Sequence, residues 1–192
     1  MPHRKSASRG CPTRSYSRAE LQCCPRCLPQ ASDAITINFP TPQPKAKYAK
    51  KRLVHVDHLM LYRPLLAAGA TVTLRTDSKP LRDYALGQFA AAGYDTRWVS
   101  DDVRRDHPEH PETEYECRTR EMGAVVYGIC ATPGAQPGDD ELAAGRMQEQ
   151  SLACYLPDDL NELTYVPLGM EEAVENFKNR ARKGKKRLPQ ES

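Results

Sequence analysis

Three groups of residues in this 192-residue chain have types and spacings that could carry chemistry. The first is Ile37-Asn-Phe-Pro-Thr-Pro-Gln-Pro-Lys45, followed by Lys47, Lys50, Lys51 and Arg52. Its prolines keep a loop extended and stiff, and the cations behind it can engage phosphates, which position RNA without reading its sequence. The same composition also fits a solvated basic loop, since charge runs are usually exposed faces. The second group is Asp77, in Leu74-Arg-Thr-Asp, and the third is Thr113-Glu-Tyr-Glu116. Asp77 is placed either to meet a ligand or to cap the next helix, and Thr113–Glu116 is equally readable as a helix start. Metal ligands are a fourth consideration. Cys24-Pro-Arg-Cys27, with Cys11, Cys23 and His3 nearby, offers thiolates, but a structural zinc site usually needs two ligand pairs at defined spacing. His55-x-x-His58 reads as an exposed helix face and His107-x-x-His110 as part of a Pro- and acid-rich loop. No metal site is assigned.

These groups need elements to hold them. Ile35–Phe39 is a short β-branched run ending at Pro40 and reads as a buried strand. His55–Ala67 has apolar residues at 56, 59, 60, 65 and 66 and reads as a helix kinked at Pro64 and stopped by Gly69. Ala70–Thr76 is a second strand. Ser78 caps a helix with Leu81, Tyr84, Ala85, Phe89 and Ala92 on its apolar face, stopped by Gly93. Tyr94–Val99 is a third strand, Thr113–Glu121 a short polar helix and Ala124–Ala131 a fourth strand. Strands alternating with helices imply a small α/β layered sheet whose ligands sit at the carboxyl ends of its strands.

The ends have a different texture. Residues 1–30 hold six Arg or Lys and one acid, Glu20, with no period of 3.6 or 2, and are expected to be disordered. They share an acid-poor, Arg- and Ser-rich composition with transit peptides but lack the amphipathicity, and a shifted reading frame in GC-rich DNA would give a similar mixture. Residues 132–140 form a Pro/Gly/Asp linker. Residues 141–192 form a helical extension, with helices at Glu141–Ala153 and Glu171–Arg182 and a basic tail that is either a solvated end or an RNA-contacting arm. The formal charge of +3 is a weak global signal. Seven cysteines, odd in number and irregularly spaced, fit reduced thiols. No apolar run is long enough to span a bilayer, and the expected location is cytoplasmic.

The stretch INFPTPQPKAKYAKKRLV resembles the hallmark of the bacterial tRNA (guanine-N7)-methyltransferases: a strand, Asn-Phe-x-Asp-Pro-Trp-Pro-Lys, then a basic stretch ending Lys-Arg-Arg-Leu. Leu74–Asp77 resembles that family's strand-end Thr-Asp, and Thr113–Glu116, with Gly123 and Val125–Tyr127, resembles its Thr-x-Tyr/Phe-Glu motif and closing strand. The match covers residues 33–131. It implies the C-terminal part of a Rossmann-like class I methyltransferase sheet, S-adenosylmethionine as cofactor and tRNA as partner, with a guanine in the variable loop as substrate. By the same resemblance Lys45, Asp77, Thr113, Glu114, Tyr115 and Glu116 bind tRNA. The position of the family's active-site aspartate holds Thr41, and that of its tryptophan holds Gln43. Guanine N7 already has a free lone pair, so the enzyme must align base and donor and stabilise a cationic product. Losing a preorganised carboxylate there typically costs about 10²–10³ in rate. Residues 1–30 hold Gly10 and Glu20 but no G-x-G or βαβ unit, so the cofactor-binding N-terminal half is expected to be missing. Turnover is then impaired or lost, and the alternative function is a non-catalytic tRNA-binding remnant or partner subunit. The strand Ile35–Phe39 would become an exposed edge open to pairing with another chain.

Overall fold

A computed structural model describes residues 31–157, 160, 163 and 165–185, with the side chains of 180–185 outside that description. The readings made for residues 1–30, including the cysteine cluster, and for the end of the basic tail fall outside it.

Four strands form one mixed sheet in the order β1-β2-β4-β3. β1 (Ser32–Asn38) runs parallel to β2 (Leu66–Thr76), while β4 (Tyr127–Pro133) lies antiparallel between β2 and β3 (Tyr94–Ser100). With helices on the sheet, this is the mixed α/β architecture expected of a methyltransferase. β1 is an edge, and Ile37 is its one buried residue.

Pro64 acts differently from the sequence expectation. α1 (Val56–Tyr62) stops before it, and Arg63–Leu65 make one 3-10 turn with the proline where no N–H is needed. Leu66 then enters β2 directly. Gly69 therefore stops no helix. It lies inside β2 at φ +78°, where the β1 pairing skips from Ser32↔Leu66 to Ala34↔Thr71. Only glycine takes that conformation without strain, which lets the extra residues bulge out.

α2 (Lys79–Ala91) follows its sequence signals. Ser78 Oγ accepts from Leu81 N at 3.4 Å, and Gly93 ends the helix at φ +66°. A Cβ on Gly93 would lie 2.4 Å from the carbonyl oxygen of Ala135, so close approach as well as φ requires glycine there. α3 (Val103–Asp106) and α4 (Glu114–Glu121) follow β3, and α5 (Asp139–Met147) follows β4. α5 is shorter than the helix expected to Ala153, and residues 152–155 form a separate 3-10 turn.

The core beneath the sheet contains Val72, Leu74, Leu81, Tyr84, Phe89 and Ile129. It also contains Leu152, Leu156, Met170 and Val174 from the chain beyond the linker, the last on α6 (Glu171–Lys185). Leu152 and Met170 are fully buried, and each such side chain contributes about 1.5–3 kcal/mol. The C-terminal segment is thus built into the sheet's core.

Candidate RNA-contact site

The site lies where β1 and β2 end. The loop 40–45 leaves β1, and Asp77 and Ser78 connect β2 to α2. Two non-glycine residues of the loop region are left-handed, Phe39 at φ +46° and Gln43 at φ +52°. A bulky residue is rarely held there unless its surroundings over-determine it. They do so here. Phe39 N–H donates to the Arg75 carbonyl at 2.8 Å, and its ring packs on Tyr115 at 4.9 Å between centroids.

Arg52 anchors the other side of the loop. Nε donates to the Pro42 carbonyl at 3.1 Å, and Nη2 to the carbonyls of Gln43 at 2.8 Å and Gln150 at 2.6 Å. The guanidinium stacks over Tyr84 at 4.4 Å. Arg52 is 1% exposed, and burial lowers its pKa. The sequence grouped it with the phosphate-contacting cations, but its position makes it an internal clamp. Lys47, Lys50 and Lys51 do face solvent, with Lys47 and Lys51 flanking the Tyr48 ring at 5.0 and 4.8 Å.

The C-terminal segment closes over this loop. Leu152 N donates to the Pro44 carbonyl at 3.0 Å. Gly169, at φ +88°, lies beside the loop: a Cβ there would sit 3.8 Å from Pro42 Cδ and 3.9 Å from Thr41 Cγ2. Lys45 Nζ pairs with Glu172 Oε1 at 2.8 Å. Both of these side chains are largely exposed, so the pair is weak and Lys45 is free to exchange Glu172 for a phosphate. Thr41 is exposed.

Asp77 is buried, and Oδ2 accepts the phenols of Tyr115 and Tyr165, each at 3.1 Å. Burial raises its pKa, opposed by the two phenols, while burial raises both tyrosines. A small pocket opens beside it, lined among others by Lys79, Val125, Tyr127, Tyr165 and Met170.

The Thr113–Glu116 motif divides into separate tasks. Thr113 Oγ1 caps α4 by accepting from Glu116 N at 3.2 Å. Glu114 points outward to Arg118 at 2.6 Å. Tyr115 reaches Asp77. Glu116 is fully buried in an ion pair with Arg75 and lies 2.6 Å from Arg104 Nε. A carboxylate committed to two internal guanidiniums holds α4 to β2 and is not presented to a ligand. Arg75 also donates to the Pro111 carbonyl at 2.7 Å.

The structure joins Asp77 and Tyr115 directly and places Thr41 and Lys45 on the loop that leaves the neighbouring strand β1, with Lys47, Lys50 and Lys51 exposed beyond it. It sets Arg52, Thr113 and Glu116 beneath them as supports, and Glu114 apart on the exposed side of α4. Tyr165, Gln150 and Glu172 belong to the site's construction but are not singled out in the sequence: Tyr165 lies in a stretch with little periodicity, and Gln150 and Glu172 fall in expected helices whose partners are far away in sequence. Arg75 was legible as a neighbour of Asp77, though its partner was not. His55 Nδ1 accepts from Asp57 N at 3.2 Å as the cap of α1, and His58 Nδ1 lies 2.7 Å from the Arg52 carbonyl, so each ring has a local task.

Among the described residues no helix is long and apolar enough to cross a membrane. The chain is similar to the tRNA (guanine-N(7)-)-methyltransferase of Streptococcus equi subsp. zooepidemicus, 33% identical over 101 residues, covering 52% of this chain and 48% of that protein. The enzymes so named from Brevibacillus brevis (33% over 100 residues, 51% and 47% covered) and Lachnoclostridium phytofermentans (34% over 107 residues, 54% and 49% covered) are similar to the same degree. The chain spans about half the length of the curated relatives it matches. A model of the putative methyltransferase family matches residues 21–129. That match takes in more than half of the sequence, from before β1 into β4, and this chain belongs to the putative methyltransferase family.

Proposed function

We propose that this chain carries the RNA-holding part of a tRNA (guanine-N7)-methyltransferase, and that binding tRNA is what its residues do. The observation that carries this reading is the buried Asp77 carboxylate, fixed by two phenols in the lining of a small pocket at the end of β2, the strand paired with the one that leads into the lysine-rich loop. A carboxylate accepts the adjacent N–H donors of a guanine edge, and a fixed negative charge also stabilises the cation that N7 methylation creates. Lys45, Lys47, Lys50 and Lys51 would take the flanking phosphates. An unpaired base of a tRNA loop is the kind of target such a pocket admits. A tRNA ligand implies the cytoplasm as location.

The donor for this reaction class is S-adenosylmethionine. The described residues do not fit a cradle for it. The turn leaving β1 is proline-rich and clamped by Arg52, and among the described residues no Gly-x-Gly turn leads from a strand into a helix. Thr41 also offers a hydroxyl where relatives are expected to place a carboxylate. These two features favour the second reading, a tRNA-binding partner subunit or remnant without turnover. Among the described residues the outer backbone groups of β1 face no strand, so this edge could accept a strand from a second chain.

Affinity for tRNA, read by fluorescence anisotropy, together with calorimetry against S-adenosylmethionine, tests both readings. We expect tRNA to bind more tightly than a generic RNA duplex, Asp77→Asn to weaken it about tenfold or more, and the donor not to bind. Equal affinity for tRNA and duplex would overturn RNA holding, and micromolar donor binding would establish a self-sufficient enzyme.

A further inference from the structure

Away from Asp77, three side chains on the turn after α3 converge. His107 Nδ1 lies 3.4 Å from Glu109 Oε1, and His110 Nε2 lies 4.0 Å from the same oxygen. One ligand atom from each of the three residues falls within 4.8 Å of the other two. A tetrahedral zinc-class ion with bonds of about 2.0–2.2 Å sets its ligand atoms about 3.3–3.6 Å apart. The His107–Glu109 separation already matches. His110 needs to approach Glu109 by about half an ångström and His107 by about an ångström at most, within reach of a torsional change on the turn.

The rings are held from behind. Trp98 stacks on His107 at 4.0 Å between centroids and 28° between planes, and touches His110 at 5.8 Å. Trp98 can lie across β4 because residue 128 is glycine: a Cβ there would sit 2.8 Å from the indole and 2.6 Å from Val103. The backbone of the turn is also fixed, with His107 N donating to the Val103 carbonyl at 2.8 Å and His110 N to the His107 carbonyl at 3.2 Å. Along the sequence, the histidine pair reads as loop composition. The fold adds a carboxylate between the rings and an aromatic support beneath them.

We propose that His107, Glu109 and His110 form a site for a divalent transition-metal cation, with the remaining position left to water. Two imidazoles and one carboxylate suit zinc, nickel or copper, whereas calcium and magnesium favour all-oxygen shells. The turn continues through Pro111, whose carbonyl is held by Arg75, into the Thr113 cap of α4. A cation here would staple the segment that delivers Tyr115 to Asp77. The assignment does not depend on what Asp77 binds.

Trp98 is the single tryptophan of the chain, so fluorescence excited at the red edge, where the nine tyrosines do not absorb, reports on this turn. Nickel(II) is titrated into the full chain. We expect quenching that saturates at one equivalent, is reversed by zinc(II), and survives Cys24→Ser/Cys27→Ser. His110→Ala and Glu109→Gln, folded by circular dichroism, should each weaken it about tenfold or more. Absence of quenching up to about 1 mM, an affinity of only about 4 kcal/mol, would overturn the site. So would quenching unchanged in both variants or lost with the cysteines.

Discussion

Tyr165 and Asp77 stand 88 residues apart in sequence, yet the phenol donates to Oδ2 at 3.1 Å, the same oxygen that Tyr115 reaches from α4. The site is therefore assembled from both sides of the linker. Tyr165→Phe removes a hydrogen bond to an ionised group, worth about 1.5–3 kcal/mol. Thermal unfolding should show the loss at neutral pH and a smaller loss in acid, where Asp77 is protonated. Affinity for tRNA should fall with it. An equal loss at both pH values would show that the hydroxyl's contribution does not depend on the charge of Asp77.

Asp77 itself has a signed pH effect. Burial raises its folded pKa above the unfolded one. Its contribution to stability is then fully present below the unfolded pKa and is lost as pH rises through the folded pKa. Asp77→Asn should leave stability unchanged near pH 4 and increase it near pH 7, while weakening RNA binding. Urea titrations at the two pH values check the first part and anisotropy the second.

Two kinds of cation occupy one basic stretch. Arg52→Ala removes the clamp on the carbonyls of Pro42, Gln43 and Gln150 and should cost about 2–4 kcal/mol in chemical denaturation. Lys47→Ala and Lys50→Ala should leave stability within about 0.5 kcal/mol. Each should instead lower the slope of log affinity against log salt by about 0.7–1. A stable Arg52→Ala protein with a reduced salt slope would return Arg52 to the RNA surface.

His55 titrates in the opposite direction to Asp77. Burial lowers its pKa, with Arg52, Lys50 and His58 adding to the shift and Asp57 opposing it. Its contribution is present above the unfolded pKa, about 6.5, and is lost as pH falls through the folded value. His55→Asn keeps a good helix cap. The difference in melting temperature between His55→Asn and the parent should therefore favour the variant increasingly below that pH.

Local signals carry much of the fold. The Ser78 cap, Gly93 and the apolar face of α2 are legible because each acts within one turn of chain. Pro64 misleads, since whether a proline kinks or ends a helix depends on the partners available to the residues after it, and here Leu66 finds a strand. In the site, Asp77 and Tyr115 are picked out by the family resemblance, since type and spacing alone leave a helix cap and a helix start as equal readings. Arg52 and Glu116 are legible as charges but not as interior groups, because burial depends on partners such as Tyr84, Gln150, Arg75 and Arg104 that lie far away in sequence. Tyr165 has no signal at all. Its role exists only once Leu152, Met170 and Val174 have packed into the core.

The left-handed backbone at Phe39 and Gln43 bears on how the loop meets a ligand. Held by Arg75, Tyr115 and Arg52, the loop has lost its conformational freedom during folding and has little left to lose on contact. Such a surface discriminates by rigid fit. On the proposed RNA-holding role, a misshapen RNA would meet steric refusal and a matching one would dock without waiting for the protein to rearrange.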